Sequence, residues 1–223
     1  MTMHRHFETE LEELNRQLLW MGGLVERSLQ NAIQALVGPD RKLAREVIEE
    51  EDAINALQVE IDNRALRLLA LQQPMATDLR LITAAMKINS DLERIGDQSV
   101  NIAQGIDYIL DYPQVKPYAD IPRMGAIAQE MVHAALDSFV QRNVEQARAV
   151  LLRDDEVDTL RDQIYRQMLT HMAQHSKIII PAFQLTLVAR NLERVADHAT
   201  NIAEDVIYMV VGRDVRHHAL DRR

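Results

Sequence analysis

Residues 191–203 read NLERVADHATNIA, and residues 91–103, one hundred positions earlier, read DLERIGDQSVNIA. Leu, Glu, Arg, Asp, Asn, Ile and Ala coincide at seven of the thirteen positions, so the chain is a duplication and one fold has to serve both halves. In each copy a Glu, an Asp and an Asn stand four apart: Glu93, Asp97 and Asn101, then Glu193, Asp197 and Asn201. Residues at i and i+4 of a helix share one face, roughly 6 Å apart, so each copy carries a polar ladder along one side.

What kind of helix carries the ladder follows from the surrounding periodicity. Around the first copy, Ile88, Leu92, Ile95, Ser99, Ile102, Ile106 and Ile109 alternate spacings of four and three. Val188, Leu192, Val195, Ala199, Ile202, Val206 and Met209 do the same around the second. That is the seam of a helix packed in a bundle. Upstream, Leu11, Leu14, Leu18, Met21, Val25, Ile33 and Leu36 predict a helix over about 7–37, closed by Gly38-Pro39-Asp40. Gly22-Gly23 in its middle marks a kink or a close helix contact. A second helix is predicted over about 40–73, with Val47, Ile54, Leu57, Ile61, Leu68 and Leu71 inward, until Pro74 forces a turn. The third helix starts within residues 74–78.

The second half repeats this plan. A helix over 123–142 precedes a weak break at Asn143, then comes another to about residue 175 with Val157, Leu160, Ile164, Met168 and His171 inward. The last helix spans about 177–211, stopped by Gly212. With seven Gly, six Pro and few aromatic residues, the composition agrees with an all-α chain. The expected architecture is two tandem, repeat-related antiparallel three-helix bundles over 1–112 and 123–212. Residues 113–122, rich in proline, form the linker, and 213–223 form a basic tail.

Several function classes fall away. A net charge of −9 argues against nucleic acid as the main partner. No cysteine is present, which removes disulfides and thiolate metal sites. No apolar run approaches the roughly 20 residues of a membrane span, and the acidic start does not resemble a secretion signal, so a soluble, cytoplasmic chain is expected. Exposed apolar positions such as Trp20 on long helices point to pairing of chains, expected as a homodimer. The tail residues Arg213, Arg216, His217, His218, Arg222 and Arg223 read as a solvated end.

The second helix of each half carries acids of its own: Glu51 and Asn55 beside Asp52, then Asp154 and Asp158 beside Asp155. Asn55 lies eighteen residues before Gln73 and Glu93 nineteen after Pro74, so both stand roughly 27 to 29 Å from the same turn. Glu51 and Asp97 match likewise. About the second turn, Asp158 pairs in height with Glu193, and Asp154 with Asp197. Each half therefore brings four oxygen-bearing side chains to one level of a helix hairpin, on a flank open to water. Unpaired carboxylates this close raise one another's pKa, so a positive charge belongs among them, either arginine or a metal. Oxygen donors suit Mg²⁺, Mn²⁺, Ca²⁺ or Fe. The plain alternative is a set of surface ion pairs around Arg94 and Arg194.

His198 adjoins Asp197 but has Gln98 as its repeat partner, so it reads as a polar neighbour. Glu130 and His133 form a single Glu-x-x-His where a ferritin-like di-iron bundle needs two. No phosphate loop, catalytic triad or zincin motif is present, so nothing names a reaction. Three readings stay open at this point: a non-enzymatic regulator, a carboxylate-bridged metal oxidase or hydrolase, and a metal-free helical adaptor.

The doubled LERxxD followed by NIA, the segment QPMATDLRLI over 73–82, and the ending HATNIAEDVIYMVVG over 198–212 resemble the PhoU family of phosphate-specific transport accessory proteins. The likeness extends over essentially the whole chain. It implies a negative regulator of the phosphate-starvation response and of high-affinity phosphate uptake. Such a regulator binds the ATPase subunit of the phosphate ABC transporter and the sensor histidine kinase of the regulon. It also implies divalent or multinuclear metal (Fe, Mn, Mg or Zn) held by a Glu/Asp-x-x-x-Asp pattern, which maps onto Glu93 and Asp97, Glu193 and Asp197, and Asp154 and Asp158. Asn55 after Glu51 departs from that pattern and predicts a looser site in the first half. The QPMATDLR segment, with Asp78 and Arg80, has no counterpart one hundred residues on.

Overall fold

The structure is a computed structural model that describes residues 2–113, 115 and 120–216, with side chains from Phe7 onward. Helix α1 spans Thr2–Val37. Past Gly38 and Pro39 the chain turns, and Asp40 caps the next helix by accepting the amides of Lys42 (2.9 Å) and Leu43 (3.1 Å). Where one helix is predicted, two follow: α2 over Arg41–Glu49 and α3 over Glu51–Gln72. The break falls in the acidic run Glu49-Glu50-Glu51-Asp52 and starts α3 on two acids, which is where the positive end of the helix dipole favours them. Gln73, in left-handed conformation, ends α3, and α4 runs over Ala76–Ile109.

In the second half α5 spans Asp120–Gln141. It begins inside the expected linker because Pro122 lies in its first turn, where no amide donor is needed. Asn143 caps α6, Val144–Leu151, through the Gln146 amide at 3.1 Å. A second break then precedes α7, Asp154–Gln174, which opens on Asp154, Asp155 and Glu156. A 3₁₀ turn over Ser176–Ile178 leads into α8, Ile179–Val211, which Gly212 ends with φ of 70° and its amide on Tyr208 O at 2.8 Å. Each half is thus an up-down-up unit whose middle rod is broken at equivalent places. No strand occurs among the described residues.

The seams of α4 and α8 are buried from Ile88 to Ile106 and from Val188 to Met209. Their most extensive packing is against each other, across the repeat. Lys87 Nζ meets Asp205 Oδ1 at 2.8 Å, Asp91 meets His198, and Arg80 Nε donates to Met209 O at 3.3 Å, so residue numbers rise on one helix as they fall on the other. The two central helices are antiparallel, related by an approximate two-fold axis. The outer helices obey the same axis. A Cβ on Gly22 of α1 would come within 2.9 Å of Leu136, and one on Gly125 of α5 within 3.1 Å of Ile33. Gly22 therefore serves a close helix contact, whereas Gly23 faces open space.

Most of the predicted core is buried, but Leu71 is 66% exposed and His171 only half-buried. Leu71 stands one residue before the end of α3, where no neighbouring helix remains to cover the stripe. Trp20 is 61% exposed, as expected. Five of the methionines, Met21, Met124, Met131, Met168 and Met209, fill the core. Of the tail, Arg213 through Arg216 are described: Val215 is buried and Arg216 pairs with Asp214. His217, His218, Arg222 and Arg223 lie outside the described residues, as does much of the linker.

Candidate functional site: two acidic hairpin flanks

In the first half, α3 and α4 form the hairpin. Gly96 lets them approach, since a Cβ there would meet Ile54 Cδ1 at 3.3 Å. This contact sets Ile54 level with Gly96, and Glu51 stands close enough to Asp97 to feel its charge; the same helical register puts Asn55 at the height of Glu93. Asn89 continues the register one turn lower, donating to Gln58 O (3.0 Å) and Asp62 Oδ1 (2.9 Å). The carboxylates feel one another. Burial and then Asp97 and Asp52 raise the pKa of Glu51. Glu93 is raised by burial and then Asp97, with Arg94 and His198 opposing. Arg94 is the nearby cation, at 3.5 Å from Glu93 and 3.8 Å from Asp97, and its own side chain is largely in water.

The second half has the same register and a different occupant. Arg161 Nη1 donates to Asp158 Oδ1 (2.8 Å) and to Glu193 Oε1 (2.6 Å), which fixes the two carboxylates at one height. Its Nε and Nη2 hold Asp162 at 3.1 and 2.9 Å. The other pair, Asp154 and Asp197, is left without a cation between them. Burial, then Glu193, Asp154 and Asp158, push Asp197 up to about 6. Asp154 is raised by burial, then Asp158, Asp155 and Glu193. Among the described residues Arg194 forms no ion pair with this cluster, so the surface ion pairs of the alternative reading occur around Arg94 and not around Arg194.

Arg161 is the residue that the sequence reading missed. It follows Asp158 by three, a spacing that places a guanidinium over the carboxylate one turn back. Its counterpart in the first half is Gln58, so among the described residues a cation bridges the two rods of the second hairpin, whereas Arg94 in the first pairs with acids of its own helix. Among the described residues no three Asp, Glu or His side chains are already closed around an ion position. The donor chemistry nevertheless fits a hard cation: three crowded carboxylates and an amide oxygen in the first half, four carboxylates in the second. Burial first, and then repulsion between the carboxylates, raises the pKa of Glu51, Glu93, Asp154 and Asp197.

The third rung of the ladder has another task. His198 Nδ1 lies 2.8 Å from Asp91 Oδ1, and Asn201 Nδ2 donates to the same oxygen at 3.1 Å. His198 is therefore a polar neighbour that joins α8 to α4 across the repeat. The Glu-x-x-His motif divides into separate pairs: Glu130 accepts from Arg153 at 2.8 Å, and His133 lies 2.7 Å from Glu26, which raises its pKa. Arg80, from the segment peculiar to the first half, sits at the end of α8, where a cation complements the helix dipole.

Comparison with known proteins agrees with this architecture. The model of the PhoU domain matches residues 18–106 and again 121–206. A phosphate-specific transport system accessory protein PhoU homolog of Aquifex aeolicus is 41% identical over 93% of this chain and 94% of its own. The homolog of that name from Pseudomonas aeruginosa is 39% identical over 98% and 90%. The crystal structure of PhoU from Pseudomonas aeruginosa superposes with a TM-score of 0.91 at 38% identity, over 93% of this chain and all of that one. That of the regulatory protein PhoU from Streptococcus pneumoniae gives 0.86 at 30%, over 94% and 99%. Two tandem matches within one continuous helical fold, and relatives aligned nearly end to end, make this chain a member of the PhoU family.

Proposed function

We propose that the chain is a non-enzymatic, cytoplasmic negative regulator of high-affinity phosphate uptake and of the phosphate-starvation response. It acts by binding the ATPase subunit of the phosphate ABC transporter and the regulon's sensor histidine kinase. The observation that carries this reading is the near end-to-end likeness to proteins named as accessory to phosphate-specific transport. Among the described residues no helix is long and apolar enough to cross a membrane, so contact with a transporter would run through docking.

The acidic flanks add a metal to the reading. Glu51, Asn55, Glu93 and Asp97 would hold one cation or cluster, and Asp154, Asp158, Glu193 and Asp197 another. The ion would neutralise repelling carboxylates and tie each middle rod to its central helix. In the first half Glu51 approaches from the start of α3 and Asp97 from α4, so that hairpin would close around the charge. In the second half the ion would have to displace Arg161 from Asp158 and Glu193. The first-half flank would then bind metal more readily despite Asn55. A role for divalent metal in docking follows from that stiffening, since a partner that reads the hairpin face gains from a fixed geometry.

Two measurements test the proposal. Purified chain should retain the ATPase and kinase subunits in a pull-down, and deletion of its gene should leave phosphate-starvation genes expressed in high phosphate. Retention of neither subunit, or normal repression after deletion, refutes the regulatory reading. Metal content after native purification should fall when Glu93 and Asp97 are both changed to Ala. Unchanged content, or none in the parent protein, refutes the metal reading. Turnover of a phosphate ester or of Fe²⁺ at these carboxylates would instead favour an enzyme.

A further inference from the structure

The approximate two-fold axis between α4 and α8 generates two equivalent grooves, and their chemistry has diverged. One is lined by Lys87, Ser90, Asp91, Asn201, Glu204 and Asp205, with Asp214 and Arg216 beyond. It is acidic, and the chain supplies its own cations there: Lys87 is held on Asp205 at 2.8 Å, and Arg216 lines the groove while paired with Asp214. The other groove, of about 480 Å³, has at the matching positions Leu187, Arg190, Asn191, Asn101, Gln104 and Gly105. Every acid of the first groove's helices is thus replaced: Asp91 by Asn191, Glu204 by Gln104, and Asp205 by Gly105. A cation, Arg190, stands where the first has Ser90, and Arg194 lies one turn further along α8.

The consequence is a pocket of donors without an internal counter-charge. Two guanidinium groups at i and i+4 lie roughly 6 Å apart on one helix face. The amides of Asn101 and Gln104 are on the facing helix. Among the described residues, none of these four side chains takes part in a hydrogen bond or ion pair. Gly105 lines the floor beside Val188, where a Cβ would stand in ordinary contact at 3.4 Å. Tyr108 closes one end, where its hydroxyl lies 3.0 Å from that of Tyr112. Planar guanidinium forks with flanking amide donors match the paired oxygens of a phosphoryl group, and the volume is that of a small-molecule site rather than of one ion.

We infer that the groove between α4 and α8 lined by Arg190, Arg194, Asn101 and Gln104 binds a small phosphoryl-bearing anion. The groove adjoins the second acidic flank, since Arg190 and Glu193 both act on Tyr165, but none of the eight flank residues lines it. Chelator-treated protein is titrated calorimetrically with inorganic phosphate, pyrophosphate and ATP at 0.15 M salt. Saturable binding of at least one of the three is expected. It should weaken at least tenfold in the double variant Arg190→Gln, Arg194→Gln and in Gln104→Glu, which restores the acid of the repeat counterpart. Arg166→Gln, at an exposed arginine outside the groove, should leave it unchanged. Circular dichroism melts confirm that these surface variants stay folded. No saturable binding of any of the three anions overturns the inference. Equal binding by the Arg190/Arg194 double variant does so as well, as does capture of an acidic peptide with which none of the anions competes. Because the protein is stripped of metal and no transporter or kinase subunit is present, failure here leaves the regulatory proposal standing.

Discussion

Asp197→Asn tests the electrostatics of the second flank. Its carboxyl is pushed from the ordinary 3.8 up to about 6, first by burial and then by Glu193, Asp154 and Asp158. A shift of about two units would be worth about 3 kcal/mol for an enclosed group. More than a third of Asp197 is exposed, however, and screening reduces the usable part to about 1 kcal/mol. The sign follows from proton uptake. With the folded pKa above the unfolded one, the folded protein holds more protons between about pH 4 and 6, so stability falls as pH rises through that window and stays lower above it. Asparagine cannot ionise and removes the penalty. In chelator, the variant should melt about 2–4 °C above the parent at pH 7.5, and the difference should vanish at pH 4. Adding Mn²⁺ or Mg²⁺ should reverse the order, since the parent gains ligand binding that the variant has partly lost. Thermal melts followed by circular dichroism at four pH values read all three outcomes. A chelated variant that melts below the parent at pH 7.5, or an advantage that persists undiminished at pH 4, refutes the account.

Other substitutions probe the remaining contacts. Arg161→Gln frees Asp158 and Glu193 from their shared donor and should destabilise the chelated protein by about 1–2 kcal/mol, while making the second flank bind divalent cations more tightly, as isothermal titration would record. Gly22→Val forces a side chain onto Leu136 and should cost about 1–3 kcal/mol in chemical denaturation, partly recovered by Leu136→Ala. Gly23→Ala, facing open space, should be neutral or stabilise by up to about 1 kcal/mol. Gly212→Ala places a Cβ at φ of 70° and should cost about 1 kcal/mol, seen as a lower melting temperature.

The central helices were legible because their seams repeat at three and four over many turns, and the flank register because a helix advances a fixed distance per residue from a proline-marked turn. The breaks at Glu50 and Arg153 were not. Both residues keep right-handed helical angles, neither is glycine or proline, and the apolar period runs on past them. Only the acidic runs that follow betray a new first turn, and such runs fit the middle of a helix equally well. Arg161 is not marked by the ladder itself, which places Arg94 and Arg194 beside the glutamates, whereas the cation that bridges the second flank lies on the opposite rod. The task of His198 was hidden for a different reason. Its partner Asp91 is more than one hundred residues away, and periodicity within one half says nothing about how the halves meet.

The reciprocal contacts of Gly22 with Leu136 and of Gly125 with Ile33 have an evolutionary reading. An interface that matches itself under a half-turn is what two identical subunits make, so the polypeptide resembles a symmetric pair fused end to end. In separate identical subunits every substitution would appear on both sides of the axis at once. Covalent linkage lifts that constraint, and positions such as Ser90 and Arg190 can then specialise independently while the scaffold between them stays shared.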